Sequence, residues 1–208
     1  MNINYHKLCL EEISKFDTTK KILLHSCCAP CSSYVITFLS NYFDITILYY
    51  NPNISPKEEY EKRKKEQIKL IKNLKVKNKL NFLDCDYDNN KYNDLIKGLE
   101  NCKEGGNRCK ICFNLRLEKT AKLAKINNYD YFCSTLTVSP HKNSKIINEI
   151  GMSLSKKYNI KWLYSDFKKN EGFKQSIKLS KKYDLYRQDY CGCIYSKIIR
   201  EESKIQQQ

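Results

Sequence analysis

Eleven cysteines stand in 208 residues, and their spacing is where this sequence offers chemistry. Three fall within five residues of the stretch LLHSCCAPCSSYV, at Cys27, Cys28 and Cys31. Cys109 and Cys112 form a C-x-x-C with Cys102 upstream, and Cys191 and Cys193 form a C-x-C around Gly192. A reducing compartment keeps thiols free, so clustered cysteine there points to metal or redox chemistry rather than a disulfide framework. A thiolate at a helix N-terminus faces free backbone N–H groups and the positive end of the dipole, which makes it a better ligand and nucleophile. Cys109 and Cys112 are about 60° apart in helical projection, so both reach one centre. Four thiolates from these two elements suit a tetrahedral zinc or an iron–sulfur cluster. A contiguous C-C at the mouth of a ligand crevice favours chemistry over a scaffold, but spacing alone leaves structural zinc and unligated thiols open. Cys9, Cys85 and Cys133 stand alone and read as small buried hydrophobes.

The elements that must position these sulfurs follow from periodicity. KILLH (21–25) is a short apolar strand, and APCSSYVITFLSNYF after it has helical spacing at Tyr34, Phe38 and Tyr42. DITILYY (44–50) is a second strand; NPNISPKEEY opens a helix, with Ser55 as N-cap, Pro56 in the first turn and Glu58 completing a capping box. KLNFLDCDYD is a third strand, RCKICFNLRLEKTAKLAKI a helix with Phe113, Leu117, Ala121 and Ala124 on one face, and YDYFCSTLTV a fourth strand. A helix over SKIINEIGMSLSKKY, a short strand at KWLY, a helix around GFKQSIKLSKKY and a polar tail from about residue 186 complete the chain. Strands alternating with long helices predict an α/β fold, a mostly parallel sheet flanked by helices, in one domain spanning 1–208. In such sheets ligands bind beyond the carboxyl ends of the strands. Cys27 and Cys28, Asn51 to Asn53, Cys85 with Asp86, and SPHKN all fall there.

The net charge of +15 is compatible with a polyanionic partner, although only five of the 38 basic residues are arginine. The basic run EYEKRKKEQIKLIK reads as the solvated face of an amphipathic helix. The N-terminus has no apolar segment followed by a small-residue cleavage site, and nowhere do eighteen apolar residues run together. A cytoplasmic protein without a membrane partner is expected.

Six stretches, LLHSCCAPCSSYV, YYNPNISPKEEYEKR, DCDYD, RCKICFNLRLEKTAKLA, STLTVSPHKN and YRQDYCGC, in this order and at these separations, resemble the epoxyqueuosine reductase QueH family from about Lys21 to Tyr195. The first twenty residues, an N-terminal extension, and the last dozen lie outside the resemblance. It implies a Rossmann-like fold of the HUP type and a 4Fe-4S enzyme of tRNA queuosine synthesis. The implied reaction is its last step, reduction of the epoxide of epoxyqueuosine to an alkene at the wobble base, without cobalamin. It also implies cluster ligands at Cys27, Cys28, Cys109 and Cys112 and a redox-active pair at Cys191 and Cys193.

Removing an epoxide oxygen as water needs two electrons, a proton source and an electrophile. An iron incompletely ligated by protein could supply the electrophile, and an additional mononuclear iron beside the cluster is a candidate. Cys31 is a candidate ligand for it or a proton shuttle, and fits equally a helix-packing thiol. Asp86 and His141 are candidate proton donors. A tRNA brings phosphates and a base to be unstacked; Tyr49, Tyr50 and Tyr87 lie nearest the strand ends as platforms. Arg108 and Arg116 flank the cysteine helix as candidate phosphate contacts or carboxylate partners. An unidentified electron donor is implied. Two rival readings are a cysteine-dependent tRNA sulfur-transfer enzyme, which usually carries a glycine-rich SGGxDS loop where SCCAPCS stands here, and a zinc-stabilised RNA-binding module.

Overall fold

Five parallel strands form the centre of the computed structural model, which describes residues 3–205. They are β1 (Lys20–His25), β2 (Phe43–Tyr49), β3 (Leu80–Asp84), β4 (Tyr131–Ser134) and β5 (Lys161–Trp162), in the order β3-β2-β1-β4-β5. The helices are α1 (Tyr5–Ile13), α2 (Ala29–Leu39), α3 (Lys57–Asn73), α4 (Asn89–Leu95), α5 (Asn107–Ile126), α6 (Ser144–Tyr158), α7 (Gly172–Lys182) and α8 (Ile194–Ile205). β1 is central because its apolar run is continuous: Ile22, Leu23 and Leu24 are wholly buried, which only a strand covered on both faces permits. Each such side chain contributes about 1.5–3 kcal/mol on burial. β3, at the edge, is half exposed along its length. α5 packs on β1 and β4 and against α6, while α2 packs on α7.

The chain reverses its lateral progress at β1, whose neighbours are β2 on one side and β4 on the other. This is the switch point, and the turns after β1 and β4 diverge above it. The α/β parallel fold expected from periodicity is therefore present.

Four local readings change. The helix after NPNIS begins at Lys57 with Pro56 at its cap position and no side-chain cap, so Ser55 forms no capping box. Ser55 is engaged elsewhere: its N–H donates to the Gly192 carbonyl (2.9 Å) and its carbonyl accepts from the Tyr190 hydroxyl (3.0 Å). The fourth strand stops at Ser134, whose hydroxyl accepts from the Leu136 N–H (3.2 Å) and turns Thr135–Val138 into a 3-10 segment. The polar tail is helical over most of its length as α8. The N-terminal extension contains α1, capped by Asn4 (3.0 Å to the Lys7 N–H), with Cys9 and Ile13 buried in the core. Cys133 is wholly buried as expected, whereas Cys85 is partly exposed. Among the described residues no helix is long and apolar enough to cross a membrane.

Candidate metal and redox centre

The turn after β1 is fixed by buried polar groups. His25 is wholly buried; its Nε2–H donates to the Tyr50 carbonyl (3.1 Å) and its Nδ1 accepts from the Ser134 hydroxyl (2.9 Å), tying together the ends of β1, β2 and β4. Burial first, and then the Arg116 charge, push this imidazole down to about 3, so it is a neutral strut. Ser26 and Ser32 both donate to Gln67 Oε1 (2.6 and 2.8 Å), and Asn51 Nδ2 donates to the Ser26 carbonyl (2.8 Å). Cys28 then takes the cap position of α2 in extended backbone, and Pro30 in the first turn holds the helix start.

Held this way, the sulfurs of Cys27, Cys28 and Cys31 lie within 4.8 Å of one another. Cys27 Sγ is 3.8 Å from Cys28 Sγ and 3.6 Å from Thr135 Oγ1, and Gln188 Nε2 donates to Cys28 Sγ (2.9 Å). The trio shares negative charge unevenly. Hydrogen bonds from Cys28 and Cys31 hold Cys27 well below the ordinary thiol range, with Lys142 adding to the effect. Donation to Cys27 pushes Cys28 up to about 11 and raises Cys31 likewise.

The second cysteine group rides on α5. The Gly105 N–H donates to Cys109 Sγ (3.2 Å), and Cys112 is buried one turn further on. Another turn along, Arg116 is buried beneath the site: Nε donates to the Cys112 carbonyl (3.2 Å) and Nη1 to Asn51 Oδ1 (3.4 Å), while Nη2 has no partner among the described residues. Burial works against its charge, and the surrounding Cys112, Cys191 and Cys27 sulfurs more than offset this, so the guanidinium is raised above its usual value. Lys142, half-buried on the loop after β4, is raised in the same way by Cys191, Cys27 and Cys31.

The third group is brought in by α3. Arg63, buried on that helix, pairs with Glu59 (2.7 Å) and donates to the carbonyls of Cys191 (3.1 Å) and Tyr190 (3.4 Å). Gly192 has φ +138°, and a Cβ there would sit 3.0 Å from Ile54 Cγ1, so the sequence needs glycine here. Cys193 Sγ is 3.6 Å from Ser196 Oγ, and both are buried under α8.

A pocket of about 510 Å³ opens over these elements, lined by Cys27, Cys31, Cys191, His141, Lys142 and Gln188 among others. Of the expected site residues, the structure thus brings the three cysteine groups and His141 to one region. The tight trio includes Cys31, while Cys109 and Cys112 stand outside it, with Cys112 and Cys27 both neighbours of Arg116. Asp86 is not brought in: it is exposed and lines a separate surface depression with Asp84 and Glu61. Arg108 and Arg116 meet neither phosphate nor carboxylate expectations. Arg108 is buried, donates to the carbonyls of Leu99 and Glu100, and lies over the Tyr195 ring. Tyr49 and Tyr87 are packing residues whose hydroxyls donate to the carbonyls of Tyr60 and Ile54.

Arg63, Gln67, Lys142, Gln188 and His25 were not singled out by the sequence. A signal existed for two of them: Tyr60, Arg63, Gln67 and Leu70 share the i, i+3/i+4 spacing of one face, and that face is the buried one. Soft sulfur donors gathered beside buried cations, with Arg116 Nη2 and Gln188 Oε1 left without partners, fit a site for a thiolate-bound metal group.

The profile of the family described as "Epoxyqueuosine reductase QueH" matches residues 22–198. Curated relatives with that same description include one from Streptococcus pyogenes serotype M1, 44% identical over 93% of this chain and 78% of its own. Another, from Staphylococcus epidermidis, is 45% identical over 93% of this chain and 84% of its own. A third, from Thermotoga maritima, is 34% identical over 87% of this chain and 92% of its own. A match along most of the chain, laid over cysteines gathered at the switch point of a parallel sheet, makes this chain a member of the epoxyqueuosine reductase QueH family of oxidoreductases.

Proposed function

We propose that the chain reduces the epoxide of epoxyqueuosine at the wobble position of tRNA to the alkene of queuosine, the closing step of queuosine synthesis. The observation that carries this reading is that one sulfur from each of the three cysteine groups, Cys27, Cys112 and Cys191, neighbours the buried Arg116, beside a pocket that Cys27, Cys31, Cys191 and Lys142 line. Cys27, Cys28, Cys109 and Cys112 would hold a 4Fe-4S cluster, and Cys31 would remain for an additional mononuclear iron. The cluster, when bound, supplies single-electron transfer.

The balance is closed by the chain's own thiols. Oxidation of Cys191 and Cys193 to a disulfide yields two electrons and two protons, which convert the epoxide to alkene and water. A strained C-x-C bond is labile, so an external electron donor can reduce it again. His141 and Lys142, which both line the pocket, would hold protons for the departing oxygen, Lys142 keeping its own at Nζ beside the sulfurs. Asp86, in a separate depression, is the weaker candidate. Residues 1–208 are taken as one catalytic unit, supported by Cys9 and Ile13 of α1 and Cys193 of the C-G-C segment joining one buried cluster, and a tRNA substrate would put it in the cytoplasm.

The test is mass spectrometry of nucleosides from epoxyqueuosine-tRNA incubated anaerobically with protein and reductant. Queuosine is expected from the iron-loaded wild type, and Cys109→Ser is expected to fold yet bind less iron and form none. Full iron loading and turnover in that variant would reject the ligand assignment; a colourless, zinc-containing wild type without product would reject the reaction.

A further inference from the structure

A second cavity is larger than the cysteine pocket. A groove of about 880 Å³ runs along the outer side of α5, with α4 on one rim and α6 on the other. Lys91, Lys110, Lys119 and Lys122 line it, and among the described residues none of the four has a carboxylate within salt-bridge distance. Glu118 also lines the groove, but Lys157 (2.5 Å) and the Tyr158 hydroxyl (2.8 Å) already engage its carboxylate. The groove is therefore cationic. Its floor is not: Leu95 and Ile126 are 48% and 62% exposed, and Ile111, Leu115 and Ile150 continue the apolar surface.

Lysines above an open apolar floor suit a chain that carries negative charge along its backbone and flat apolar faces beside it. Single-stranded nucleic acid has that form, whereas a duplex offers a protein surface mainly its phosphates. Lys110 to Lys122 spans about 18 Å of helix, enough for several nucleotides of an extended strand. The groove also begins on the turn of α5 that bears the cysteines, since Lys110 and Ile111 lie between Cys109 and Cys112. Bringing a wobble base to the cysteine pocket opens the anticodon loop and leaves its unpaired neighbours close to this helix.

We propose that the α4–α5 groove binds an unpaired segment of the tRNA substrate outside the reacting nucleotide, with phosphates on the four lysines and bases against the apolar floor. This rests on the reading of tRNA as substrate. The reaction itself supplies an anionic strand beside α5, which is why RNA is favoured over an acidic redox protein.

The test is fluorescence anisotropy of labelled epoxyqueuosine-tRNA with the iron-loaded full chain. Lys91→Glu/Lys122→Glu is compared with Lys75→Glu/Lys77→Glu, an equal charge change on the exposed loop before β3, whose residues do not line the groove. The groove variant is expected to raise Kd about tenfold or more and to lower the slope of log Kd against log salt by about two, one per lost phosphate contact. The loop variant is expected to stay within about twofold. Equal losses in both variants, or wild-type affinity in the groove variant, would overturn the inference. So would normal tRNA affinity with turnover lost only when an acidic protein, not dithionite, supplies electrons, which would make the groove a protein-docking face. Queuosine formation by wild type, measured in parallel, separates these outcomes from failure of the substrate reading.

Discussion

A guanidinium with an unpartnered nitrogen, wholly enclosed by protein, is costly unless negative charge is delivered to it. Arg116 occupies that position with Cys112, Cys191 and Cys27 as its neighbours, so charge on the sulfurs and charge on the arginine stabilise one another. Cys191 shares this charge balance, but the tail pair lies outside the tight trio and outside the proposed ligand set. Serine at both Cys191 and Cys193 is therefore expected to leave the iron content and visible spectrum intact while stopping multiple turnover; loss of the spectrum would make these residues ligands. Gly192 between them carries the geometric demand. Gly192→Ala must adopt φ +138° and crowd Ile54, at a cost of about 1–3 kcal/mol from the backbone alone. Denaturant unfolding is expected to show that loss, together with faster alkylation of Cys191 as the tail lifts.

Two helices without a cysteine of the pocket tie distant segments to the fold. α3 reaches the tail through Arg63, and α1 buries His6, Cys9 and Ile13. Asn170 Nδ2 donates to His6 Nε2 (2.8 Å), which fixes a neutral ring with its proton on Nδ1, where no acceptor meets it. Burial lowers the His6 pKa below the ordinary imidazole value, with Asp166 opposing. The unfolded chain then binds this proton more readily than the native one. The stability contributed is present above about pH 6.5 and declines as the pH falls toward the depressed value. Protonation would also set an N–H against the Asn170 amide. The protection factors of α1 amides, taken relative to intrinsic exchange at each pH, are expected to fall between pH 7.5 and pH 5.5 in wild type, and His6→Gln is expected to flatten that change. An unchanged pH dependence in His6→Gln would assign it to other groups.

For the whole molecule the governing quantity is a net charge of +15. Exposed lysines that neutralise phosphates release condensed counterions, so affinity for tRNA is expected to fall steeply with salt, by about tenfold or more between 50 and 200 mM. A flat response over that range would point to a small-molecule substrate. The charge also has two distinct locations. Arg63, Arg108 and Arg116 are buried and structural, whereas the lysines of the groove are free for a ligand.

Repetition determined what the sequence by itself could settle. The apolar run of β1, the alternation of strand and helix, and six ordered motifs are local or serial features, so they fixed the parallel α/β architecture and the family. Cys27 with Cys28 and Cys109 with Cys112 were legible because a turn and a helix bring near neighbours together by themselves. Partners distant in the chain were decided only by the tertiary structure. Nothing in ISPKEE announces that Ser55 bonds Gly192 in place of capping its helix. Nothing near Asp86 reveals that its loop turns away from the pocket, and the spacing from Tyr60 to Leu70 marks Arg63 as inward-facing without revealing that it holds the tail. Burial and charge pairing depend on which elements pack together, and that is set by the whole sheet rather than by any one segment.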